Sequence, residues 1–317
     1  MSKPYSQKMR LIFMGTPEFA APGLNRLLEA PEFEIIGVFT QPDRPIGRQQ
    51  LLTPPPIKKI ALAHNIAVFQ PEKIRLEIAN IKKLKPDLIV VIAYGKIIPQ
   101  EILDIPTLGC VNVHASLLPK YRGAACLNAP ILNGDQETGI TIMKMDAGLD
   151  TGPILRQAKI KLNGKETLEK LHDRLSELGA KLLIPTLLDL GAGKIKPQIQ
   201  DNSRASYIKI LKKEDGQINW QKSAIEIERM IRAYNPWPGS YSLIGTDKKI
   251  FKILSAGEII KTNKHQVGEL FLQDEKLSVQ CGQDSLVILK LQLAGKQATT
   301  APEFIRGYQN LIGHIFQ

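Results

Sequence analysis

Two polar side chains stand two residues apart in the apolar run Cys110–Val111–Asn112–Val113–His114. Alternate side chains of a strand share a face, so Cys110, Asn112 and His114 point one way and Val111, Val113 and Ala115 the other. An asparagine amide can donate to a developing oxyanion. A histidine can donate too, and can move a proton near neutral pH. The pair suits a reaction through a tetrahedral intermediate, such as acyl transfer. A satisfied histidine at a strand end, with asparagine capping a turn, reads equally well, and spacing alone leaves the two in balance.

Two more stretches bear on that choice. "MDAGLDTGPIL" puts Asp146 and Asp150 in a glycine-containing loop after another apolar strand. A carboxylate close to His114 would orient its ring and stabilise its protonated form. Asp-x-Gly sequences also make ordinary turns, and the residues alone do not choose between the two aspartates. "QPDRPIGRQQLLTPPPIKK" carries five prolines with Arg44, Arg48, Lys58 and Lys59, and Asp43 is its only acid. It is too long for an ordinary strand-to-helix connection, and a long basic loop suits contact with an anionic partner.

Elements must hold these residues in place. "RLIFMG" (Arg10–Gly15), "FEIIGVFT" (Phe33–Thr40), "DLIVVIAYG" (Asp87–Gly95), the run containing Asn112 and "TGITIMKMD" (Thr138–Asp146) read as strands. Helical spacing lies between them in "EFAAPGLNRLLEA" and "PPIKKIALAHN". The alternation predicts βαβ units and an open, doubly wound, mostly parallel α/β sheet. In such sheets ligands bind beyond the carboxyl ends of the strands, the end at which Asn112 and His114 fall. Leu168, Leu171, Leu175 and Leu178 give the apolar stripe of a long helix. The polar stretch that follows reads as a linker. From about Leu211 one helix and several short strand-like pieces predict a smaller β-barrel, OB-like in kind. The expected division is a catalytic domain over 1–192, a linker over 193–210 and a barrel over 211–317.

Composition and missing motifs narrow the chemistry. At 317 residues, two domains are the first expectation. No apolar run approaches the ~18 residues of a membrane helix, and the start of the chain lacks a signal-peptide core, so the protein is expected to be soluble, not exported and cytoplasmic. Three cysteines without a C-x-x-C pair suit a reducing compartment. The net charge of +11 favours a polyanionic partner. Lys and Arg outnumber Asp and Glu 27 to 20 up to residue 205 and 15 to 11 beyond it, so both parts are basic. The dinucleotide fingerprint, the phosphate-binding P-loop, H-E-x-x-H and the G-x-S-x-G elbow are all missing, and the five histidines make no metal-ligand spacing.

Taken together, "IFMGTPEFA", "GVFTQPDRPIGR", "VVIAYGKIIP", "NVHASLLPKYRGAA", "GDQETGITIMKMDAGLDTGPIL" and "RAYNPWPGSY" resemble the methionyl-tRNA formyltransferase family, in order and over essentially the whole chain. The N-terminal motifs are shared with a wider formyltetrahydrofolate-dependent superfamily that includes glycinamide-ribonucleotide formyltransferase. The resemblance implies a Rossmann-like catalytic domain and a barrel that binds tRNA. It implies Asn112, His114 and Asp150 as catalytic residues, selecting Asp150 over Asp146. Ser116, Leu117, Leu118 and Pro119, with Ile92, Ala93, Tyr94 and Gly95 as neighbours, would form the tetrahydrofolate site. Arg44, Arg48, Lys58 and Lys59 would meet the acceptor end of initiator tRNA. The implied donor is 10-formyltetrahydrofolate, with no metal, no membrane partner and a monomer expected. Cys126 departs from the family's "RGAAP" by standing in the proline position, for which a local change in loop or helix start is expected. A formyltransferase for a small amine, a nucleotide or an amino sugar, is the alternative. A non-catalytic RNA-binding protein fits the charge but has no need of the polar residues at the strand ends.

Overall fold

The computed structural model describes residues 8–47, 49–245 and 249–317. The chain forms two compact units. The first comprises Met1–Cys126, Glu137–Lys161 and His172–Ile208, and the second Leu127–Gln136, Leu162–Leu171 and Lys209–Gln317.

The first unit is built on a seven-stranded sheet. Its order from one edge is Ile154–Lys161, Glu137–Lys144, Cys110–His114, Leu88–Ile92, Met9–Gly15, Phe33–Phe39 and Val68–Phe69. All five residues of Leu88–Ile92 are buried, the environment that its unbroken aliphatic sequence requires. The five strands from Cys110–His114 to Val68–Phe69 pair in parallel, whereas Glu137–Lys144 and Ile154–Lys161 pair antiparallel. Ile154–Lys161 is absent from the sequence reading, which passes from the Asp150 loop to the long helix. From Arg156 onward its residues alternate between partly buried and exposed, so it lacks the apolar run that marks the other strands.

The chain lays down Met9–Gly15 first, adds two strands on one side of it, and then crosses to place Leu88–Ile92 on the other. The direction of build-up therefore reverses between Met9–Gly15 and Leu88–Ile92, and open sheets of this kind take ligands beyond the carboxyl ends of the strands at such a point. The long helix Leu168–Gly191 buries Leu175, Leu183 and Leu187. A Cβ on its Gly179 would come within 2.9 Å of the Val113 side chain, so the missing side chain lets the helix approach one face of Cys110–His114. Cys110, on the opposite face, directs its sulfur to the Leu103 carbonyl at 3.9 Å.

The stretch expected as a linker is more than a connection. Gln198 exchanges two backbone hydrogen bonds with Ile154, and Tyr207–Ile208 pairs in parallel with Arg122–Gly123.

In the second unit an antiparallel sheet runs in the order Ser240–Ile244, Lys249–Ile260, Ser285–Leu293, Lys276–Gln280, Leu270–Gln273, with Thr299–Thr300 also on Ser285–Leu293. Register shifts between Ile253 and Ser255 and between Ala256 and Ile259 bend the long strand as bulges do, in keeping with the expected barrel-like form. Trp220 and Phe316 stack at 5.3 Å in its core, and Trp220 Nε1 donates to Ser242 Oγ at 2.9 Å. Two helices, Ala224–Tyr234 and Ala301–Gly307, carry capping boxes built on Ser223 with Glu226 and on Thr300 with Glu303. No helix among the described residues is long and apolar enough to cross a membrane.

Candidate active site

Residues just past the strands are joined at this end of the sheet. Thr16 Oγ1 donates to the Tyr94 carbonyl at 3.0 Å, Gln41 Nε2 donates to the same oxygen at 3.1 Å, and the Gln41 amide reaches Thr16 Oγ1 at 3.3 Å. Three strand ends are tied together in this way. Ala93 has φ +48° and Gly95 φ +80°, which turns the chain sharply after Leu88–Ile92. Ile92 and Tyr94 point into the core, whereas Ala93 and Gly95 are exposed. The segment thus exposes its backbone and a methyl group rather than two apolar side chains. Burial, with Glu77 nearby, pushes the Tyr94 phenol up to about 12.

Ser116–Pro119 is braced from the neighbouring strand. Ser116 Oγ donates to the Lys120 carbonyl at 2.6 Å, the Leu118 amide donates to Thr141 Oγ1 at 3.0 Å, and Thr141 Oγ1 donates to the Ser116 carbonyl at 2.7 Å. Ser116 and Leu118 are buried, and Leu117 and Pro119 are partly exposed.

His114 is buried at the end of its strand, and its two ring nitrogens have different surroundings. Nε2 lies 2.9 Å from the Tyr121 carbonyl. Nδ1 lies 3.6 Å from Asp150 Oδ2, close enough for charge attraction but too far for a hydrogen bond. Asp150 Oδ2 accepts from the Gly123 amide at 2.8 Å. Asp146 is spent elsewhere: its Oδ1 accepts from Gly148 N at 3.1 Å and Thr151 Oγ1 at 2.7 Å, as a turn residue does. Asn112 is partly exposed, and among the described residues no hydrogen bond occupies its side-chain amide. Asn112, His114 and Asp150 thus present a free amide, an imidazole and a carboxylate in one neighbourhood.

Burial disfavours the charged form of His114, but Cys126, Asp150 and the Tyr121 carbonyl outweigh it and push the pKa up to about 9. Cys126, by charge and by a hydrogen bond to the ring, is the largest of these, followed by Asp150 and the Tyr121 carbonyl, and all three are placed to favour an imidazolium.

Backbone conformation is unusual around the histidine. Tyr121 has φ +63°, Asp150 φ +54° and Gly123 φ +105°. Left-handed non-glycine residues persist only where their surroundings fix them. The fixing groups come from 198–208, inside the expected linker. Gln200 is buried there and joined to the equally buried Arg122 of the Arg122–Gly123 pairing. Gln41, Tyr121, Arg122, Gly123 and Gln200 were all missed from sequence. The "YRG" step after an apparent active-site strand was the one available signal.

The basic loop forms a small hairpin, Arg44–Ile46 against Leu51–Thr53. Arg44 and Lys59 are exposed. Lys58 is not a free cation: its Nζ lies 2.7 Å from Asp43 Oδ2. Hydrogen bonds from Gln70 and then Lys58 hold the Asp43 carboxyl below its usual range. Arg48 lies outside the described residues. Among the described residues, no group of three or more His, Cys, Asp or Glu side chains could hold a metal ion.

Comparison with known proteins bears on the whole chain. The family model described as formyl transferase matches residues 9–187, and that of the formyl transferase C-terminal domain matches 210–309. A methionyl-tRNA formyltransferase of Trichlorobacter lovleyi is 49% identical over 315 residues, covering 96% of each chain. One of Geobacter sulfurreducens is 47% identical over 305 residues, covering 95% of this chain and 94% of that protein. Among solved structures, HypX from Aquifex aeolicus in complex with tetrahydrofolic acid aligns with TM-score 0.65 at 16% identity, over 96% of this chain and 48% of that one. An N-formyltransferase from Helicobacter canadensis, in complex with folinic acid and dTDP-3-aminofucose, aligns with TM-score 0.64 at 22% identity, over 88% of this chain and 98% of that one. At those identities the solved structures share the fold.

Proposed function

This chain belongs to the formyl transferase family, and we propose that it moves the formyl group of 10-formyltetrahydrofolate onto the α-amino group of methionyl initiator tRNA. The observation that carries the reading is the His114–Asp150 pair beside the unoccupied Asn112 amide, in a chain related end to end to methionyl-tRNA formyltransferases.

The step follows from the groups present. A free α-amine has a pKa of about 7.7–8.0, so part of it is neutral and nucleophilic near neutral pH. Its nitrogen bonds to the formyl carbon, and the carbonyl electrons move to oxygen. Asn112 and protonated His114 donate to that oxyanion. Nε2 is taken by the Tyr121 carbonyl, so Nδ1–H, 3.6 Å from Asp150, is the proposed donor to the oxyanion, with Cys126 also in hydrogen-bonding reach of the ring. Such contacts commonly tighten when substrate binds. As the oxyanion collapses, the bond from carbon to N10 breaks. N10 takes up a proton, the attacking nitrogen loses one, and tetrahydrofolate leaves. Asp150 stabilises the imidazolium throughout.

Ser116–Pro119 and the exposed backbone at Ala93–Gly95 are the proposed walls for the folate. Arg44, Arg48 and Lys59 are the proposed phosphate contacts. Lys58, paired with Asp43, has the smaller part. The first unit is assigned catalysis and the second, with the basic surplus beyond residue 205, binding of the tRNA body. A tRNA acceptor puts the work in the cytoplasm. The test offers 10-formyltetrahydrofolate with either charged initiator tRNA or a nucleotide-linked amino sugar. Transfer to the tRNA alone is expected, and transfer to the sugar amine alone would overturn the reading.

A further inference from the structure

Gln200 is buried, 5% exposed, in a stretch without hydrophobic periodicity. Its side chain works in two directions. Nε2 donates to the Asp150 carbonyl at 2.9 Å and the Gly152 carbonyl at 2.7 Å. Oε1 accepts from Arg122 Nε at 3.1 Å and Nη2 at 2.8 Å. Arg122, 1% exposed, also donates to Asn202 Oδ1 and to the Tyr207 hydroxyl, each at 2.8 Å. Among the described residues every acceptor of this guanidinium is neutral, although a buried arginine ordinarily recruits a carboxylate. The neutral clamp leaves Asp150 as the carboxylate facing His114. The same stretch also grips the other side of the site: the Arg122 amide donates to the Ser206 carbonyl at 2.8 Å, and the Tyr121 amide donates to Ser206 Oγ at 2.9 Å.

Besides Cys126, the residues that bear on His114 are Asp150 and Tyr121; both hold left-handed backbone, and both are tied down by 198–208. We propose that Gln200 is a positioning residue for formyl transfer, fixing the Asp150 turn through its two donated hydrogen bonds and anchoring that turn to Arg122, so that the carboxylate stays on His114. Gln200 touches neither reacting group. Its effect passes through the placement of Asp150, where an error of about 1 Å can cost as much as 10²-fold in rate.

The inference rests on the formyl-transfer reading and is tested with two variants. Gln200→Met removes every hydrogen bond of the side chain. Gln200→Glu keeps an acceptor for Arg122 but cannot donate to Asp150 or Gly152, so it separates positioning from satisfaction of the guanidinium. Both are expected to lower kcat by roughly 10–100-fold, with KM for the folate donor and the melting temperature of Gln200→Glu near wild type. The alkaline limb of the Gln200→Met rate profile is expected to move to lower pH as His114 loses its carboxylate, with Cys126 and the Tyr121 carbonyl still facing the ring in both proteins. Wild-type kcat in Gln200→Glu, or an unmoved limb in Gln200→Met, overturns the proposal. NMR titration of His114 in wild type and Gln200→Met needs no substrate. It therefore judges the positioning role even if the wild-type enzyme fails to formylate methionyl-tRNA, an outcome that would count against the functional reading instead. An unchanged His114 titration overturns the positioning role.

Discussion

Asp150 acts on His114 through charge at 3.6 Å rather than through a hydrogen bond, and that distance sets what its removal should do. Asp150→Asn keeps an oxygen for the Gly123 amide but deletes the charge. The alkaline limb of kcat, expected near pH 9 in the wild type from His114, should move to lower pH in the variant, as a pH–rate series would measure. A limb that stays in place would mean that Asp150 does not hold the imidazolium. The raised pKa also has a stability side. A histidine favoured as a cation in the fold adds stability that is fully present below its unfolded value of about 6.5. That contribution is lost as pH rises through about 9. Denaturant melts of wild type against His114→Ala should therefore converge over that window. Much of this was legible at residue scale. Alternation put Asn112 and His114 on one face, and a nearby acid was expected from the Asp146–Asp150 loop. Which aspartate approaches the ring depends on the fold of that loop, which spacing does not encode.

At the scale of elements, the site depends on a short parallel pairing between Arg122–Gly123 and Tyr207–Ile208. Gly123 has φ +105°, and a Cβ there would come within 2.4 Å of the Ile208 carbonyl. Gly123→Ala should therefore separate the two segments and weaken the Asp150 contact together. The expected result is a lower melting temperature and a loss of activity larger than the loss of folded protein explains, read by calorimetry beside kcat. The long helix makes a simpler case. Leu175 is fully buried, so Leu175→Ala should cost about 2–5 kcal/mol in denaturant unfolding, without altering the pH profile of the protein that remains folded. Aliphatic strands and the leucine stripe were readable because burial on both faces, or on one helical face, leaves a periodic mark. Ile154–Lys161 and 198–208 were not. The first is a half-exposed edge, and the second is held by Gln200, Arg122 and Ser206 through polar contacts that have no period.

Across the whole molecule, a net charge of +11 spread over both parts of the chain predicts tRNA binding that weakens steeply with salt. Neutralising an exposed cation on the basic hairpin, by Arg44→Ala or Lys59→Ala, should reduce the slope of log affinity against log salt by about 1. Lys58→Ala should change it less, because Asp43 already compensates that charge. Equal effects at Lys58 and Lys59 would show that the ion pair opens when tRNA binds. The charge pointed to a polyanionic partner, and the presence of two units was visible in the length. The pairing of Lys58 was not, since Asp43 lies fifteen residues away along the chain and the contact exists only once the loop is folded.

The central claim is that Asn112 and His114 supply the oxyanion donors for formyl transfer. Single-turnover transfer from 10-formyltetrahydrofolate to charged initiator tRNA, measured for wild type, Asn112→Ala and His114→Ala with melting curves alongside, tests it most directly. Each variant is predicted to lose about 10²–10³ in rate while keeping its fold. Near wild-type turnover in His114→Ala would contradict the account.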